Sequence, residues 1–248
     1  MNPINEHLYE MLSQVRGYIY PNGVEFHWSI LIVVYPYLTG LVAGAFILAS
    51  LVKVFKVKQL QPVYRLSMLT ALSFMIIAPL PLQMHLGHWE RSYEIFLTPN
   101  FTSAMAMFGF VYAWYLMVVL LLEIWFTYRR DLIRYTETDK PIMRFVHRAL
   151  ALFSKDTSEE GEKFDMKAVK FITIIGIPSA FLLHGYVGFI FGSIKANPWW
   201  SSVLIPIVFL FSAIVSGIAM VMLLYMVVTP LRGQKIEMPC IDKMASFL

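Results

Sequence analysis

Residues 27–52 read HWSILIVVYPYLTGLVAGAFILASLV and contain no Asp, Glu, Lys or Arg. A transmembrane helix needs about 20 consecutive, mostly apolar residues to cross the hydrocarbon core of a bilayer. This stretch is long enough, so the sequence predicts a membrane-spanning helix here. Gly40 and Gly44 form a GxxxG pattern within it, which is typical of close packing between membrane helices.

The whole chain has the composition of a membrane protein. Of its 248 residues, 58% are hydrophobic and only 15% are charged, and the mean hydropathy is +0.63. Soluble domains are about 45–50% apolar and about 25% charged. The sequence therefore predicts an all-α fold, a polytopic membrane helix bundle of about five transmembrane helices. We place the spans near 27–52, 64–89, 101–127, 168–194 and 200–228.

The predicted organisation has three regions. Residues 1–26 are polar with apolar residues at helical spacing, and are expected to form an amphipathic segment on the outer face. Residues 27–228 are expected to form the transmembrane helical bundle, which includes a solvated cytoplasmic loop at 128–167. Residues 229–248 are expected to be a cytoplasmic tail or the start of a sixth span.

Basic residues are distributed unevenly between the two sides of the predicted bundle. Nearly all of the 20 Lys and Arg residues fall in the loop at 53–65, the connection at 128–170 and the C-terminal tail, whereas the opposite side carries Arg16, Arg91 and Lys195. Positively charged loops stay in the cytoplasm, so the N-terminus is predicted to lie outside and the C-terminus inside. Because topology explains the net charge of +4, that charge does not indicate a nucleic-acid partner.

Polar residues at the outer end of the bundle are the first functional candidates. The second span ends in MHLGHWER, which carries His85, His88, Glu90 and Arg91. His184 of the fourth span is expected roughly 15 Å below the outer edge, at a depth similar to Tyr35 and Tyr112. An imidazole within a span must be paired and usually faces the bundle interior. A purely structural hydrogen bond remains the alternative for His85 and His184, and simple solvation remains the alternative for the other three polar residues of MHLGHWER.

Glu123 is the titratable acid in the inner half of a span. Two interpretations of this residue stay open. Its side chain extends toward the cytoplasmic edge near Arg129 and Arg130, or it belongs to a proton path together with the polar residues Thr70 and Ser73.

The residue types present favour one kind of chemistry. The single cysteine, Cys240, excludes an internal disulfide and a cysteine metal cluster, and the absence of CxxCH excludes an attached c-type haem. We predict no metal site. A few His and Tyr side chains in an apolar outer pocket suit a quinone, whose ring and tail need apolar walls and whose carbonyls need one or two donors. Histidine can exchange the protons that accompany quinone redox chemistry.

A series of short stretches carries a family resemblance. They are Tyr18-Ile-Tyr-Pro-Asn-Gly23, His27 to Phe46, Leu86-Gly-His-Trp-Glu-Arg91, Thr98 to Gly109, His184-Gly-Tyr-Val-Gly188, Lys195 to Trp200 and Ser212-Ala-Ile-Val-Ser-Gly217. Taken in this order they resemble the NrfD/PsrC family, the quinone-interacting membrane subunits of polysulfide-reductase-like complexes. The detail is closest to the branch with the DsrP-like and alternative-complex-III-like subunits. Trp89 stands where the family's LGxPER ending has proline.

The resemblance implies the quinone-reactive subunit of a multi-subunit oxidoreductase, rather than an enzyme alone. Such subunits lie in the inner membrane of bacteria or archaea, hold no covalently bound cofactor, and bind menaquinone or ubiquinone near the outer face. They exchange electrons there with a ferredoxin-like iron–sulfur subunit, and a molybdopterin or multihaem cytochrome subunit often completes the complex.

Site residues follow from the resemblance and from the outer cluster together. His85 and His184 are expected to be hydrogen-bond or proton partners of the quinone, and Tyr35, Tyr112 and Tyr186 to line its pocket. The remaining candidates, at the pocket mouth or on the partner-docking surface, are His88, Glu90 and Arg91. His85 falls where many family members carry an acidic residue, and Tyr186 falls on the family's Tyr-x-Gly position.

The sequence departs from the family in its number of spans, and two alternatives to the quinone function stay open. Family members usually have eight to ten spans in two bundles, so a five-span chain is expected to be a fragment, a split subunit, or a short variant completed by a second membrane subunit. A b-type cytochrome with His85 and His184 as haem ligands is disfavoured, because their expected depths differ by roughly 10 Å. A membrane anchor or transport subunit without a redox role is the other alternative.

Overall fold

The computed structural model describes residues 29–85, 88–138, 140–194 and 198–248. Within these ranges the chain is helical without β-strands, and five helices are long and apolar enough to cross a membrane. They are called here the first to fifth spanning helices, with the bounds Ile30–Lys53, Lys58–His85, Ala104–Glu137, Glu159–Gly192 and Ile205–Leu231. The predicted polytopic helix bundle is confirmed. The amphipathic segment expected at 1–26, together with His27, lies outside the described residues.

Two of the spanning helices are built from several pieces. The second begins with a 3-10 turn at Lys58–Val63, continues as an α-helix at Tyr64–Ile77, and restarts at Pro79–His85. Proline lacks the backbone N–H that would continue the helical ladder, which accounts for the break before Pro79. The third consists of Ala104–Trp114, a π-helical segment Tyr115–Leu120, and Leu121–Thr138. Short π-helical segments are rare and often occur at functional sites.

The first spanning helix lies at the centre of the bundle and packs against the second, fourth and fifth. It approaches the fifth most closely at two glycines, since a Cβ atom placed on Gly44 would lie 2.7 Å from the Cα of Gly217. No side chain fits at that distance. The second glycine of the predicted GxxxG pattern therefore lies in a direct backbone contact between helices.

The connection expected as a solvated loop at 128–167 is largely helical. The third spanning helix runs on to Thr138, a separate helix occupies Pro141–Leu150, and the fourth spanning helix begins at Glu159. Its first turn is capped by Ser158, whose Oγ accepts a hydrogen bond from the Gly161 N–H at 3.1 Å. The helices therefore extend beyond the apolar segments by several charged turns.

The tail folds back onto the bundle. After the fifth spanning helix, a helix at Met238–Ala245 buries Cys240 and Met244 against the turn at Lys58–Val63. The Glu237 N–H donates to the Tyr225 hydroxyl at 3.2 Å. Burial, with a smaller contribution from the nearby Glu237 carboxylate, raises the pKa of the Cys240 thiol to about 11. The thiol is therefore neutral and poorly reactive at ordinary pH.

Candidate functional site

The two ends of the bundle carry different polar groups. One end holds His184 and His85, and it is called here the His184 end. The other holds Lys53, Tyr64 and Glu123, and it is called the Glu123 end.

An apolar cavity of about 360 Å³ lies at the His184 end, between the first, fourth and fifth spanning helices. Its walls include Pro36, Val208 and Phe209, and its few polar groups include the side chains of His184 and Ser212. The ring of His184 is 3% exposed and stacks on Phe209, with ring centroids 5.7 Å apart and planes at 28°. This cavity is named the His184 cavity below.

The imidazole of His184 is enclosed but not fully paired. Its Nδ1 atom makes no hydrogen bond to any described residue. Gly40 makes room for the ring, since a Cβ atom there would lie 3.1 Å from Cε1 of the imidazole. A buried polar atom without a partner is costly, and the residue that carries it lines the His184 cavity.

The three predicted tyrosines do come together, but around Phe108 and not in the lining of the His184 cavity. The Phe108 ring lies 5.7 Å from that of Tyr35, 6.4 Å from Tyr112 and 6.0 Å from Tyr186, between ring centroids. The Tyr112 hydroxyl donates to the Met75 carbonyl. The Tyr35 hydroxyl is buried and makes no hydrogen bond to a described residue.

His85 is held away from the His184 cavity lining. Its Nδ1 shares a hydrogen bond of 2.9 Å with Ser29 Oγ, at the start of the first spanning helix, and its side chain is half-buried. His88 and Glu90 form an exposed pair at 3.0 Å, and Arg91 is also exposed. These residues lie at the rim of the bundle, and the structure joins none of them to His184 by a contact.

Sequence reasoning missed part of the cavity lining. On the first spanning helix the lining residues are Val33, Pro36, Tyr37 and Gly40, a spacing of three and four that defines one helix face. Tyr37 therefore lines the cavity, whereas Tyr35 points to Phe108. Helical periodicity, applied from Gly40, would have separated the two tyrosines.

Glu123 is fully buried at the other end of the bundle. Its Oε1 accepts a hydrogen bond from the Tyr64 hydroxyl at 3.2 Å and lies 2.9 Å from the Thr173 hydroxyl. Its Oε2 makes no hydrogen bond to a described residue. Tyr64 also pairs with the Thr127 hydroxyl at 3.1 Å, and the Lys53 ammonium lies 4.2 Å from the centre of the Tyr64 ring. These five residues are named the Glu123 cluster.

The side chain of Glu123 does not extend toward the neighbouring arginines. Arg129 instead pairs with Asp165 at 2.9 Å. Thr70 is buried without a contact to the Glu123 cluster, and the Ser73 hydroxyl donates to its own helix at the Leu69 carbonyl, 2.8 Å away. The polar partners of Glu123 come from several helices, so no local pattern in the sequence indicated them.

A polar cavity of about 290 Å³ opens beside the Glu123 cluster. Lys53, Tyr64 and Thr127 belong both to the cluster and to the lining of this cavity. The rest of the lining is strongly charged and includes Arg134 and the ion pair of Arg65 with Asp131, at 2.7 Å. Water in the cavity would therefore contact Tyr64 and Thr127, and Tyr64 in turn bonds to Glu123.

Among the described residues, no group of three or more His, Cys, Asp or Glu side chains could hold a metal ion. The fold and the His184 cavity define a multi-pass helical membrane protein with an apolar, histidine-containing pocket. The chain belongs to the NrfD family, since the family model described as "Polysulphide reductase, NrfD" matches residues 21–248.

Two of three similar proteins carry the names of reductase components. The chain is 34% identical to the C subunit of the selenate reductase of Mesobacillus selenatarsenatis, over 80% of this chain and 47% of that protein. It is 28% identical to the membrane component of a putative dimethyl sulfoxide reductase of Halobacterium salinarum, over 79% of this chain and 42% of that protein. It is 26% identical to protein NrfD of Escherichia coli, over 79% of this chain and 58% of that protein. The chain spans about half the length of these curated relatives.

Proposed function

We propose that this chain binds a quinone or quinol in the His184 cavity and is the quinone-reactive membrane subunit of a reductase complex. The observation that carries the proposal is the unpaired Nδ1 of His184, buried in an apolar cavity of about 360 Å³. Small-molecule sites are typically apolar clefts of about 300–1,000 Å³ with a few polar groups. Family membership and the reductase subunits among the relatives agree with it.

The cavity suits the two demands of a quinone ring. Phe209, Pro36 and Val208 offer apolar surface to the ring and the start of the isoprenoid tail. His184 offers one hydrogen-bonding group to a ring oxygen, and Ser212 offers another. Oxidation of a quinol releases two electrons and two protons. A neutral imidazole at one ring oxygen can accept one proton, and the second proton leaves to water at the His184 end. The electrons leave to the redox partner.

We assign supporting roles to the other predicted residues. Tyr35, Tyr112 and Tyr186 hold Phe108 and stiffen the bundle behind the cavity. His85, which is bonded to Ser29 at the rim of the bundle, passes protons from the His184 end to water. His88, Glu90 and Arg91 form part of the exposed surface on which a partner docks.

The proposed membrane orientation places the His184 end outside. Its support is the set of basic residues gathered at the Glu123 end, where Lys53, Arg65, Arg129 and Arg134 lie close together. The proposed setting is the inner membrane of a bacterium or archaeon. The proposed partners are a ferredoxin-like iron–sulfur subunit at the His184 end, a molybdopterin or multihaem catalytic subunit, and a second membrane subunit beside the bundle.

The test of the quinone site is His184→Ala and His184→Gln in the assembled complex. Loss of a positioned proton acceptor should lower quinol turnover about 100-fold or more, while native gels show normal assembly. His147→Ala, which removes an imidazole outside the His184 cavity, is the matched control and should keep normal turnover. Turnover within twofold of wild type in both His184 variants would overturn the assignment.

A second role is proposed for the Glu123 cluster, which exchanges protons with water at its own end of the bundle. The observation that favours it is a fully buried carboxyl group with one unpaired oxygen, linked through Tyr64 and Thr127 to the polar cavity. An ionisable residue at membrane depth is costly and commonly marks a proton or ion path. The nearby cation is Lys53, and the Tyr115 hydroxyl is also buried near Glu123 without a hydrogen bond to a described residue.

A further inference from the structure

The helix Pro141–Leu150 connects the third and fourth spanning helices and has no buried residue. Ile142, Phe145, Val146 and Leu150 are spaced so that they share one side. The Ile142 side chain is 78% exposed and that of Phe145 is 65% exposed. Ten residues are too few to span a bilayer. An apolar face of this kind on a short helix is typical of segments that lie in the membrane interface.

The turn after this helix extends the apolar surface. The Phe153 N–H donates to the Arg148 carbonyl and the Leu152 N–H to the Ala149 carbonyl, both at 2.9 Å. This pair of bonds defines a Schellman turn, in which the left-handed position is usually glycine. Here Leu152 occupies that position and Phe153 follows it in the same backbone region, with φ of 51° and 58°. Both side chains are exposed. Two bulky apolar groups in an unfavourable backbone region thus stay outside the protein core.

A tryptophan of the third spanning helix is bonded to the end of this helix. The Trp125 indole N–H, on the third spanning helix, donates to the Leu150 carbonyl at 3.0 Å. Tryptophan is enriched at the level of the lipid headgroups, where its ring is in an apolar layer and its N–H meets polar groups. The indole thus holds the C-terminal end of the helix Pro141–Leu150 against the third spanning helix, at a residue type that is enriched near the headgroups.

A basic cavity of about 530 Å³ lies beside the same helix. Among the described residues that line it, the cations are Arg144, Arg148 and Lys155, and the carboxylate is Glu137. Hydroxyl groups of Thr136, Ser154 and Thr157 complete the polar lining. Guanidinium and ammonium groups bind phosphate oxygens strongly, so the excess of positive charge suits an anion. The anion that is present at this depth in a membrane is a phospholipid headgroup.

We propose that the helix Pro141–Leu150 and its Schellman turn form an interfacial surface that binds an anionic phospholipid. The phosphate lies in the basic cavity against Arg144, Arg148 and Lys155. The acyl chains lie along the apolar face formed by Ile142, Phe145 and the residues that share their side. The two features meet at Phe145 and Arg148, which are three positions apart on the helix and are therefore neighbours on its surface.

The first experiment measures retained lipid on the full chain. The protein is reconstituted in nanodiscs of equal phosphatidylglycerol and phosphatidylcholine, released, and analysed by native mass spectrometry. The wild type should retain phosphatidylglycerol preferentially. The triple variant R144A/R148A/K155A should lower that preference about fivefold or more, since one basic residue near an anionic surface accounts for about a fivefold change.

The matched control is K163A/K167A/K170A, which removes three exposed cations from the start of the neighbouring fourth spanning helix. It should change the lipid preference less than twofold. Equal losses in the two triple variants would mean nonspecific attraction to a charged membrane and would overturn the proposal, as would no loss in either.

The second experiment measures depth and does not depend on the triple variant folding. A nitroxide label is attached to Phe145→Cys in a Cys240→Ala background, and its relaxation by oxygen and by a water-soluble nickel chelate is compared in the same membranes. Relaxation of the label by oxygen should exceed its relaxation by the nickel chelate. Dominant relaxation by the nickel chelate, or displacement of the retained lipid by millimolar inorganic phosphate alone, would identify a soluble-anion site and contradict the lipid assignment.

Discussion

Single residues at both ends of the bundle are buried without a complete set of hydrogen bonds. Nδ1 of His184 and Oε2 of Glu123 are two such atoms, one in a residue that lines the His184 cavity and one in the Glu123 cluster, and neither makes a hydrogen bond to a described residue. Leaving such an atom unpaired costs about 1–3 kcal/mol. A ligand, a proton or a water molecule that pairs with it recovers part of that cost, which is why these atoms identify the sites better than any exposed residue.

A residue-scale prediction concerns Asp156, just before the fourth spanning helix. Its Oδ1 accepts from the Ser158 N–H at 2.9 Å and from the Ser158 hydroxyl at 2.6 Å. These hydrogen bonds lower the pKa of the exposed Asp156 carboxyl below its usual value. A carboxyl group with a lowered folded-state pKa contributes stability above its unfolded pKa of about 3.9 and loses it as the pH falls through the folded value.

We therefore expect the first turn of this helix to loosen below about pH 4. Hydrogen exchange of the amides from Gly161 onward, corrected for intrinsic rates, should accelerate as the pH falls from 6 to 3. Asp156→Asn should already exchange faster at pH 6 and show little further change. An acceleration of the same size in the variant would mean that another group titrates.

The buried position of His184 beside a cavity was predictable, because an imidazole inside an apolar span is rare and usually faces the bundle interior. The individual contacts of the site were not predictable in the same way. The tyrosines were ranked by depth alone, and depth does not specify the helix face. Tyr35 and Tyr37 differ by two residues and therefore by more than half a turn, which is why they contact different neighbours.

At the scale of helices, the closest packing in the bundle depends on two glycines. A Cβ atom on Gly217 would lie 2.5 Å from the Gly44 Cα and 2.8 Å from the Ala45 nitrogen. Backbone atoms cannot move aside independently, so Gly217→Ala should force the first and fifth spanning helices apart. Overpacking of this kind costs about 1–3 kcal/mol, and thermal unfolding in detergent should show a lower midpoint.

Gly185 on the fourth spanning helix provides the matched control. A Cβ atom there meets nothing within 4 Å, and alanine is favoured over glycine in a helix interior by up to about 1 kcal/mol. Gly185→Ala should therefore leave the midpoint unchanged or raise it. If both variants raised the midpoint, helix propensity would outweigh the interhelical contact and the predicted overpacking would be wrong.

The number of spanning helices followed from the sequence, but their ends did not. Hydropathy marks only the apolar part of a helix, and the third spanning helix continues through a charged segment to Thr138. What stabilises that segment is long-range pairing. Arg129 with Asp165 and Arg130 with Glu162 join it to the start of the fourth spanning helix. Partners 36 and 32 positions apart along the sequence leave no local signal, so this region was expected to be a loop.

At the scale of the whole molecule, the two proposed sites lie at opposite ends of one bundle. The His184 cavity is bounded by the first, fourth and fifth spanning helices, whereas the Glu123 cluster draws on the first four. The first and fourth helices contribute to both. The proposed quinone chemistry at one end would therefore take place in the same packed body as the proposed proton exchange at the other, and we expect mutations to separate the two.

Variants at the two ends should affect different properties of the complex in sealed vesicles. Glu123→Gln should leave quinone affinity unchanged and abolish proton uptake from the Glu123 side, measured with a pH-sensitive dye. His184→Ala should weaken quinone binding instead. Glu94→Gln, at an exposed carboxylate, is the control for the first variant. Proton uptake that survives in Glu123→Gln would rule out the proposed role of the cluster.

The contact between Gly44 and Gly217 also determines the shape available to a ligand. A Cβ atom on Gly44 would be 2.7 Å from the Gly217 Cα, whereas one turn further along, a Cβ atom on Gly40 would be 3.4 Å from the Ala213 Cβ. The two backbones thus touch at the glycine pair, whereas at Gly40 the Ala213 side chain and the His184 ring lie between the helices. The glycine contact closes the way further in, so we expect a flat ring that enters the proposed site from the His184 end to stop beside the imidazole.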